Sequence, residues 1–476
     1  MRGIGSLIKN IGHQALNSFS SVFLLILFVV AGRKLGDEAF GKFSLALAVA
    51  FIFQAILDPG FYQITIREIA REKSVVTQYL SNIVTYKIII AALSFILLFA
   101  VLQITNISKE TAYAIAIMLF AELLKSIKNA YSSAFHAFEY FNLDALVWTI
   151  ERISLLVIGT IVLMQGAGVV GFCFVFAAVR SLDLIMVLVI SKINICKLYL
   201  RFQIPFLKKL FKESLPVGLF LIILNLYTYI DTIMISAIRG DAEVGWYNAA
   251  FKIYEGLAVF PMIICTVFRP RISKTFYLDR PYFERLFPIG VKLVLAISLC
   301  VAVNGFLVSD IAIKTLFGQE YSHSIIALKI LLCGIVFVFI LTYFQMMSIA
   351  IHQQRKVLNV AVFGLCFNVL LNLFLIPKYG YIGASLATIT GELLVLIMLY
   401  LNLNSTELKL QFYQTFAMPT ISMGIPIIFL FIIPFDINLY IKIVVINFSF
   451  IALMYKFNVL SIYELKFISN NDEVVR

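Results

Sequence analysis

The sequence predicts an all-α polytopic membrane protein, and three observations carry that prediction. Of its 476 residues 62% are hydrophobic and only 13% charged, with a mean hydropathy of +0.98. A soluble chain of this length has no core large enough to hide so much apolar side chain. The apolar residues fall in continuous runs of about 20, the length of a helix that crosses a bilayer. They do not alternate with polar residues, which excludes a spanning β-barrel.

Taken in order, the runs give about fourteen spans at ~20 residues each. Six cover 11–32, 39–60, 79–104, 111–135, 143–164 and 168–191. The first lacks a small-residue cleavage site and reads as a retained span rather than a signal peptide. Six more cover 214–238, 245–268, 288–309, 324–350, 357–376 and 381–402, and a final pair covers 413–433 and 438–457. The connectors are short, so no soluble domain is inserted.

The stretch Arg239–Lys274 organises the chain. A polar turn, Gly240-Asp241-Ala242-Glu243, opens a long apolar run that closes on Arg269, Arg271 and Lys274. Within the run, Asn248, Lys252 and Glu255 are spaced to share one helical face. Such a face is costly in hydrocarbon and points to a protein interior or a wet cavity. The turn has a twin: Gly36, Asp37, Gly41, Phe43 and Ala46 match Gly240, Asp241, Gly245, Tyr247 and Ala250. Gly168-x-x-Gly171 and Gly380-x-x-Gly383 form a second matching pair at a similar offset. The expected plan is two six-helix bundles related as repeats, 1–191 and 214–402, joined by a basic linker, 192–213, with an additional helix pair at 413–457. Two repeats around a central site is a transporter plan.

Charge sets orientation. The net charge is +12, and Lys and Arg concentrate in alternate connectors: the N-terminus, 61–78, 192–213, 269–287, 352–356 and the C-terminus. Basic loops stay cytoplasmic, so both termini are expected there and the twin turns on the outer side. The basic residues are spread over many short loops, which argues against nucleic acid. Six dispersed cysteines without a CxxC pair suggest neither a disulfide framework nor a zinc site. The four histidines are too scattered for a metal cluster and read as interfacial or packing residues. No metal or other cofactor is called for.

Several motifs carry a family resemblance: Leu7-Ile8-Lys9-Asn10, Arg33-Lys34-Leu35-Gly36, Asp58-Pro59-Gly60, Arg67-Glu68-Ile69-Ala70-Arg71 and Tyr229-Ile230-Asp231-Thr232. They continue with Gly245-Trp246-Tyr247-Asn248-Ala249-Ala250, Phe268-Arg269-Pro270-Arg271, Asn368-Val369-Leu370-Leu371-Asn372-Leu373, Ile376-Pro377-Lys378-Tyr379-Gly380 and Gly383-Ala384-Ser385-Leu386-Ala387-Thr388. Across roughly residues 5–400 the chain resembles the Wzx-type polysaccharide (O-antigen) flippases, within the superfamily that includes multidrug exporters and lipid II flippases. The resemblance implies a two-lobed alternating-access transporter of the bacterial inner membrane. Its implied cargo is undecaprenyl-pyrophosphate-linked oligosaccharide, turned from the cytoplasmic to the periplasmic face. Polysaccharide polymerase machinery is a candidate partner.

A diphosphate and its sugars cannot cross hydrocarbon without replacing their hydration. Buried cations serve that need, because Arg and Lys make charge-assisted hydrogen bonds to phosphate. The candidate substrate-binding cations are Lys125, Arg152, Arg180 and Lys252. Glu122, Glu151, Asp231 and Glu255 are candidate ion-coupling carboxylates, since a buried carboxylate can titrate. Arg269 and Arg271 stand at the expected cytoplasmic mouth, or simply enforce topology. Lys125 with Glu122, and Arg180 with Asp183, read equally as intrahelical ion pairs. Asp58-Pro59-Gly60 breaks or kinks its span. A multidrug exporter of the same superfamily is the nearest alternative; its cationic cargo calls for carboxylates and aromatics. A polymerase or ligase needs a large outer loop that this chain lacks, and no nucleotide-binding Gly-x-x-x-x-Gly-Lys-Ser/Thr loop is present, so no enzyme is expected.

Overall fold

The computed structural model describes residues 22–104, 107–195, 199–404, 413–432, 438–457, 459 and 464. The Leu7–Asn10 motif, Arg2, Lys9, Cys196, Lys197 and both chain ends lie outside them. Among the described residues there is no strand. Apart from their first and last turns, helices satisfy their backbone N–H and C=O groups internally, which an apolar surrounding demands. We number them α1 (22–35), α2 (Asp37–Leu57), α3 (Phe61–Arg71), α4 (Val76–Ile104), α5 (Lys109–Ala137), α6 (Phe141–Met164), α7 (Val169–Asn194) and α8 (Ile204–Arg239). There follow α9 (Asp241–Leu257), α10 (Val259–Leu278), α11 (Arg280–Leu316), α12 (Ser324–Ala350), α13 (Gln354–Tyr379), α14 (Tyr381–Asn404), α15 (Met418–Ile432) and α16 (Leu439–Lys456).

Eleven segments are long and apolar enough to cross a membrane, α2 with α3 and α9 with α10 each counting as one. The helices α1, α5 and α15 bring the described total to the expected fourteen. The first and last of these are short, and α5 is interrupted by Glu122, Lys125 and Lys128.

Asp58-Pro59-Gly60 breaks the second span as expected: α2 stops at Leu57 and α3 begins at Phe61. The connectors expected at 61–78, 192–213 and 269–287 are instead largely helical. The α3 helix runs to Arg71, α8 begins at Ile204, and α10 carries Arg269, Arg271 and Lys274 within it. A helix satisfies its backbone as well in water as in lipid, so spans continue into basic, amphipathic ends where hydropathy alone places loops.

The chain divides into two compact units. One comprises residues 1–249 and 316–321, the other 250–315 and 322–476. In the first, α5 runs through the middle, packed against α2, α3, α4, α6 and α7. Phe43 meets Phe172 at 4.8 Å, and Phe61, Tyr86 and Phe211 form an edge-on trio at 5.0–5.2 Å. Gly60 abuts the Ser214 carbonyl, and Gly218 the Pro59 backbone. Apolar burial gives little drive between helices in lipid, so such small-residue contacts set the packing.

The twin turns share one geometry. Gly36 has φ 80° and ψ 173°, Gly240 φ 96° and ψ 178°. Both sit in the left-handed half of the map that glycine alone adopts cheaply. Each immediately precedes an acidic first helical turn, Asp37-Glu38 or Asp241 with Glu243. Trp246 donates to Asp37 Oδ2 at 2.8 Å, and Ser236 to Asp241 Oδ1 at 3.0 Å.

In the second unit α14 packs against α12 and α13. Gly383 seats on the Leu375 carbonyl, and Gly334 on the Ile389 side chain. Tyr343 lies against Phe268 and Phe287 and donates to the Phe287 carbonyl at 3.2 Å. Helix α16 docks on α11 through a reciprocal amide pair, Asn304 with Asn447, at 3.0 Å each way.

Candidate functional site

The most concentrated buried chemistry among the described residues lies where α5, α6 and α7 meet. Six ionisable side chains there form an alternating chain. Lys125 Nζ stands 3.5 Å from Glu122 Oε2, and Arg180 Nη1 2.6 Å from Glu122 Oε1. Arg180 Nε is 3.7 Å from Glu151 Oε1, whose Oε2 receives a hydrogen bond from Lys128 at 3.2 Å. Lys128 in turn lies 3.5 Å from Asp183 Oδ2. The order is Lys125, Glu122, Arg180, Glu151, Lys128, Asp183, so positive and negative groups alternate.

Three cations and three carboxylates cancel in formal charge. The balance is necessary, because isolated buried charges are strongly disfavoured. Glu122 and Lys128 have no exposed side-chain surface. Only the Lys125 end is partly open, at 13%; it also reaches Gln54 of α2 at 3.5 Å and lies over the Phe51 ring. Aromatic faces supply further stabilisation for the cations: Lys128 Nζ is 3.2 Å from the Trp148 ring centroid, and Arg180 lies over Phe176. Hydrogen bonding is incomplete. Neither oxygen of Asp183 receives a well-aligned hydrogen bond within the described residues, and Lys125 meets Glu122 as an ion pair only.

Of the expected site residues, the structure brings Lys125, Arg180, Glu122 and Glu151 together in this chain. Arg152 sits beside it, half-buried on α6, 5.5 Å from the Trp148 ring. Asp231 is in the same unit but apart, accepting from Tyr247 at 2.9 Å. Lys252 and Glu255 belong to the second unit, paired at 2.7 Å along α9. There too are Arg269, exposed on α10, and Arg271, half-buried on it. The intrahelical Lys125–Glu122 pair exists, whereas Arg180 turns from Asp183 to partners on α5 and α6.

Sequence reasoning missed two groups. Lys128, one turn on from Lys125 and not among the expected site residues, bridges Glu151 and Asp183. Lys87 is fully buried on α4 and bonds Asp58 Oδ2 at 2.9 Å and the Ser126 carbonyl at 2.8 Å. A lone lysine inside the apolar run of α4 was the available signal. His136, expected in a packing role, bonds Asp144 Oδ2 at 2.8 Å and faces the Tyr62 hydroxyl at 3.4 Å. Asn372 donates to Asn368 at 3.0 Å, one turn apart on α13.

Comparison with known proteins places this arrangement. The capsular polysaccharide biosynthesis protein CapF of Staphylococcus aureus is 23% identical over 401 residues, 83% of this chain and 98% of that one. A putative O-antigen transporter of Shigella flexneri is 24% identical over 379 residues, 75% of this chain and 87% of that one. Among solved structures, the lipid II flippase MurJ in its inward closed conformation superposes with a TM-score of 0.77 at 17% identity, over 94% of this chain and 98% of that one. An inward-facing multidrug resistance MATE family transporter gives 0.66 at 16% identity, over 82% and 95%. These superpositions show a shared polytopic helical fold. The MatE family profile matches residues 216–376. The profile of the family described as polysaccharide biosynthesis protein matches residues 7–276, more than half of the chain and the whole of the charged α5–α7 region, and the chain belongs to that family.

Proposed function

We propose that the protein is a flippase that turns undecaprenyl-pyrophosphate-linked oligosaccharide from the cytoplasmic to the periplasmic face of the bacterial inner membrane by alternating access, with both termini cytoplasmic. Membership of the polysaccharide biosynthesis family carries this reading. The relatives named as an O-antigen transporter and as a probable flippase, AglR of Haloferax volcanii, support it, as does the fold shared with a lipid II flippase.

The lipid tail of such a cargo stays in the bilayer, so the protein has only the diphosphate and sugars to shelter. In our reading Lys125, Arg152, Arg180 and Lys252 meet the diphosphate, exchanging carboxylate partners for phosphate oxygens. Arg269 and Arg271 receive it at the cytoplasmic mouth. Glu122, Glu151, Asp231 and Glu255 take the coupling ion if transport runs uphill. The repeats 1–191 and 214–402 are the moving lobes, with 192–213 as their tether. No covalent step is required.

The test is reconstitution. Purified protein is placed in vesicles holding undecaprenyl-pyrophosphate oligosaccharide, and a glycosidase confined to one side reports exposure of the sugar. Acceleration over empty vesicles is expected; none would overturn the reading. The MatE match over 216–376 favours a multidrug exporter as the second reading. Uptake of a cationic dye, with no effect on lipid-linked sugar, would establish that alternative.

A further inference from the structure

The alternating chain has two unequal ends. Each inner member has two opposite charges beside it, and each end has one. Asp183 is the buried end: its side chain is 3% exposed, its ion-pair partner is Lys128 at 3.5 Å, and neither of its oxygens receives a well-aligned hydrogen bond. That Lys128 is already hydrogen-bonded to Glu151. Lys125 is the open end, held to Glu122 at 3.5 Å without a hydrogen bond between them.

We propose that Asp183 is a proton-binding site, and that its occupancy is relayed along the chain to Lys125, which then accepts an anionic phosphate. A proton on an Asp183 oxygen makes the carboxyl neutral. It then has a hydrogen to donate, and its weak claim on Lys128 ends. Lys128 closes onto Glu151, Glu151 loosens its 3.7 Å contact with Arg180, and Arg180 is left to Glu122 alone, which it already meets at 2.6 Å. Lys125 is left as the cation with the weakest compensation, at the one end with exposed surface. The chain has gained one positive charge, and a phosphate oxygen at Lys125 restores neutrality. Glu122 and Lys128 have no exposed side-chain surface, whereas Lys125 has some, and a proton needs no room. Lys128 faces Asp183 from α5, Glu151 stands within side-chain hydrogen-bond reach of it from α6, and Arg180 precedes it by one turn on α7. From α2, Gln54 meets the far end at Lys125. The cargo end of this relay rests on the flippase reading; the proton end does not.

The structure supplies a reporter. Trp148 lies against Lys128, and Trp246 is the second of two tryptophans. In the full-length Trp246→Phe protein in detergent, indole emission should show a pH transition that Asp183→Asn abolishes. Separately, inorganic pyrophosphate binding to otherwise unaltered protein should strengthen as pH falls, by up to about tenfold per pH unit for one linked proton. In Asp183→Asn it should be tight and should not strengthen as pH falls. An emission transition that is absent, or that survives in Asp183→Asn, overturns the proton site. Pyrophosphate binding with the same pH slope in Asp183→Asn overturns the relay. If the emission transition maps to Asp183 but pyrophosphate binds at no pH, the proton site stands, and the relay falls together with Lys125 as a cargo contact.

Discussion

Gly41 rests on the carbonyl oxygen of Asp241, and by the same geometry Gly245 rests on the carbonyl oxygen of Asp37. Each helix start therefore inserts its glycine against the first turn of the other. A methyl group at either glycine would overlap that carbonyl. Gly41→Ala or Gly245→Ala should cost ~1–3 kcal/mol, the usual range for overpacking. Gly424→Ala, inside α15 with nothing within 4 Å of the added carbon, should be neutral to stabilising by up to ~1 kcal/mol. Thermal unfolding of detergent-solubilised protein reads the difference; equal midpoints for all three would refute the close contact.

Lys87 and Asp58 hold the broken second span to α4. The lysine is fully buried, so removing its charge strands Asp58 beside Ser126. Lys87→Met should destabilise by ~3–5 kcal/mol, as breaking a buried pair does. The double variant with Asp58→Asn keeps an acceptor for the Tyr62 backbone N–H and removes the stranded charge. It should recover most of the loss. A double variant as unstable as Lys87→Met alone would show that the two charges are not coupled.

The cargo cations should separate by environment. Arg152 is half-buried beside Trp148, and Lys252 pairs with a carboxylate whose side chain is 41% exposed. Arg152→Ala and Lys252→Ala should therefore abolish flipping and leave membrane insertion intact. Arg180→Ala should lose folded protein instead, because it strips Glu122 and Glu151 of a shared partner. Surface polysaccharide and membrane-extracted yield, measured in parallel, distinguish these outcomes. Normal polysaccharide in the first two variants would remove them from the cargo path.

Much of this was legible from the residues alone. Hydropathy placed the spans because helical backbone closes on itself and each crossing needs one apolar run. Gly36 and Gly240 were legible because a turn with positive φ leaves a glycine in the text. The polar connectivity was not. Helical spacing puts Glu122 and Lys125 on one stripe, but which residue of α6 or α7 faces that stripe depends on how the helices are rotated. Lys128, three residues on from Lys125, thus became the cation between Glu151 and Asp183, and Asp183 found it rather than Arg180. Basic helix ends such as Phe61–Arg71 were read as loops, since charge marks the end of an apolar run and not the end of a helix.

The last helix pair offers a final test. Asn304 and Asn447 exchange two hydrogen bonds, each amide donating to the other's carbonyl oxygen at 3.0 Å. Each also donates to the carbonyl four residues back in its own helix. In apolar surroundings an amide left without its partner loses more than the bond is worth, about 1–3 kcal/mol for the stranded group. Asn447→Leu should therefore destabilise the second unit by that amount. Asn304→Leu with Asn447→Leu strands neither amide, and the double variant should be more stable than either single one. Thermal unfolding of the four proteins gives the coupling directly. Strictly additive losses would mean that α16 is held on α11 by shape alone, with the amide pair contributing nothing to its docking.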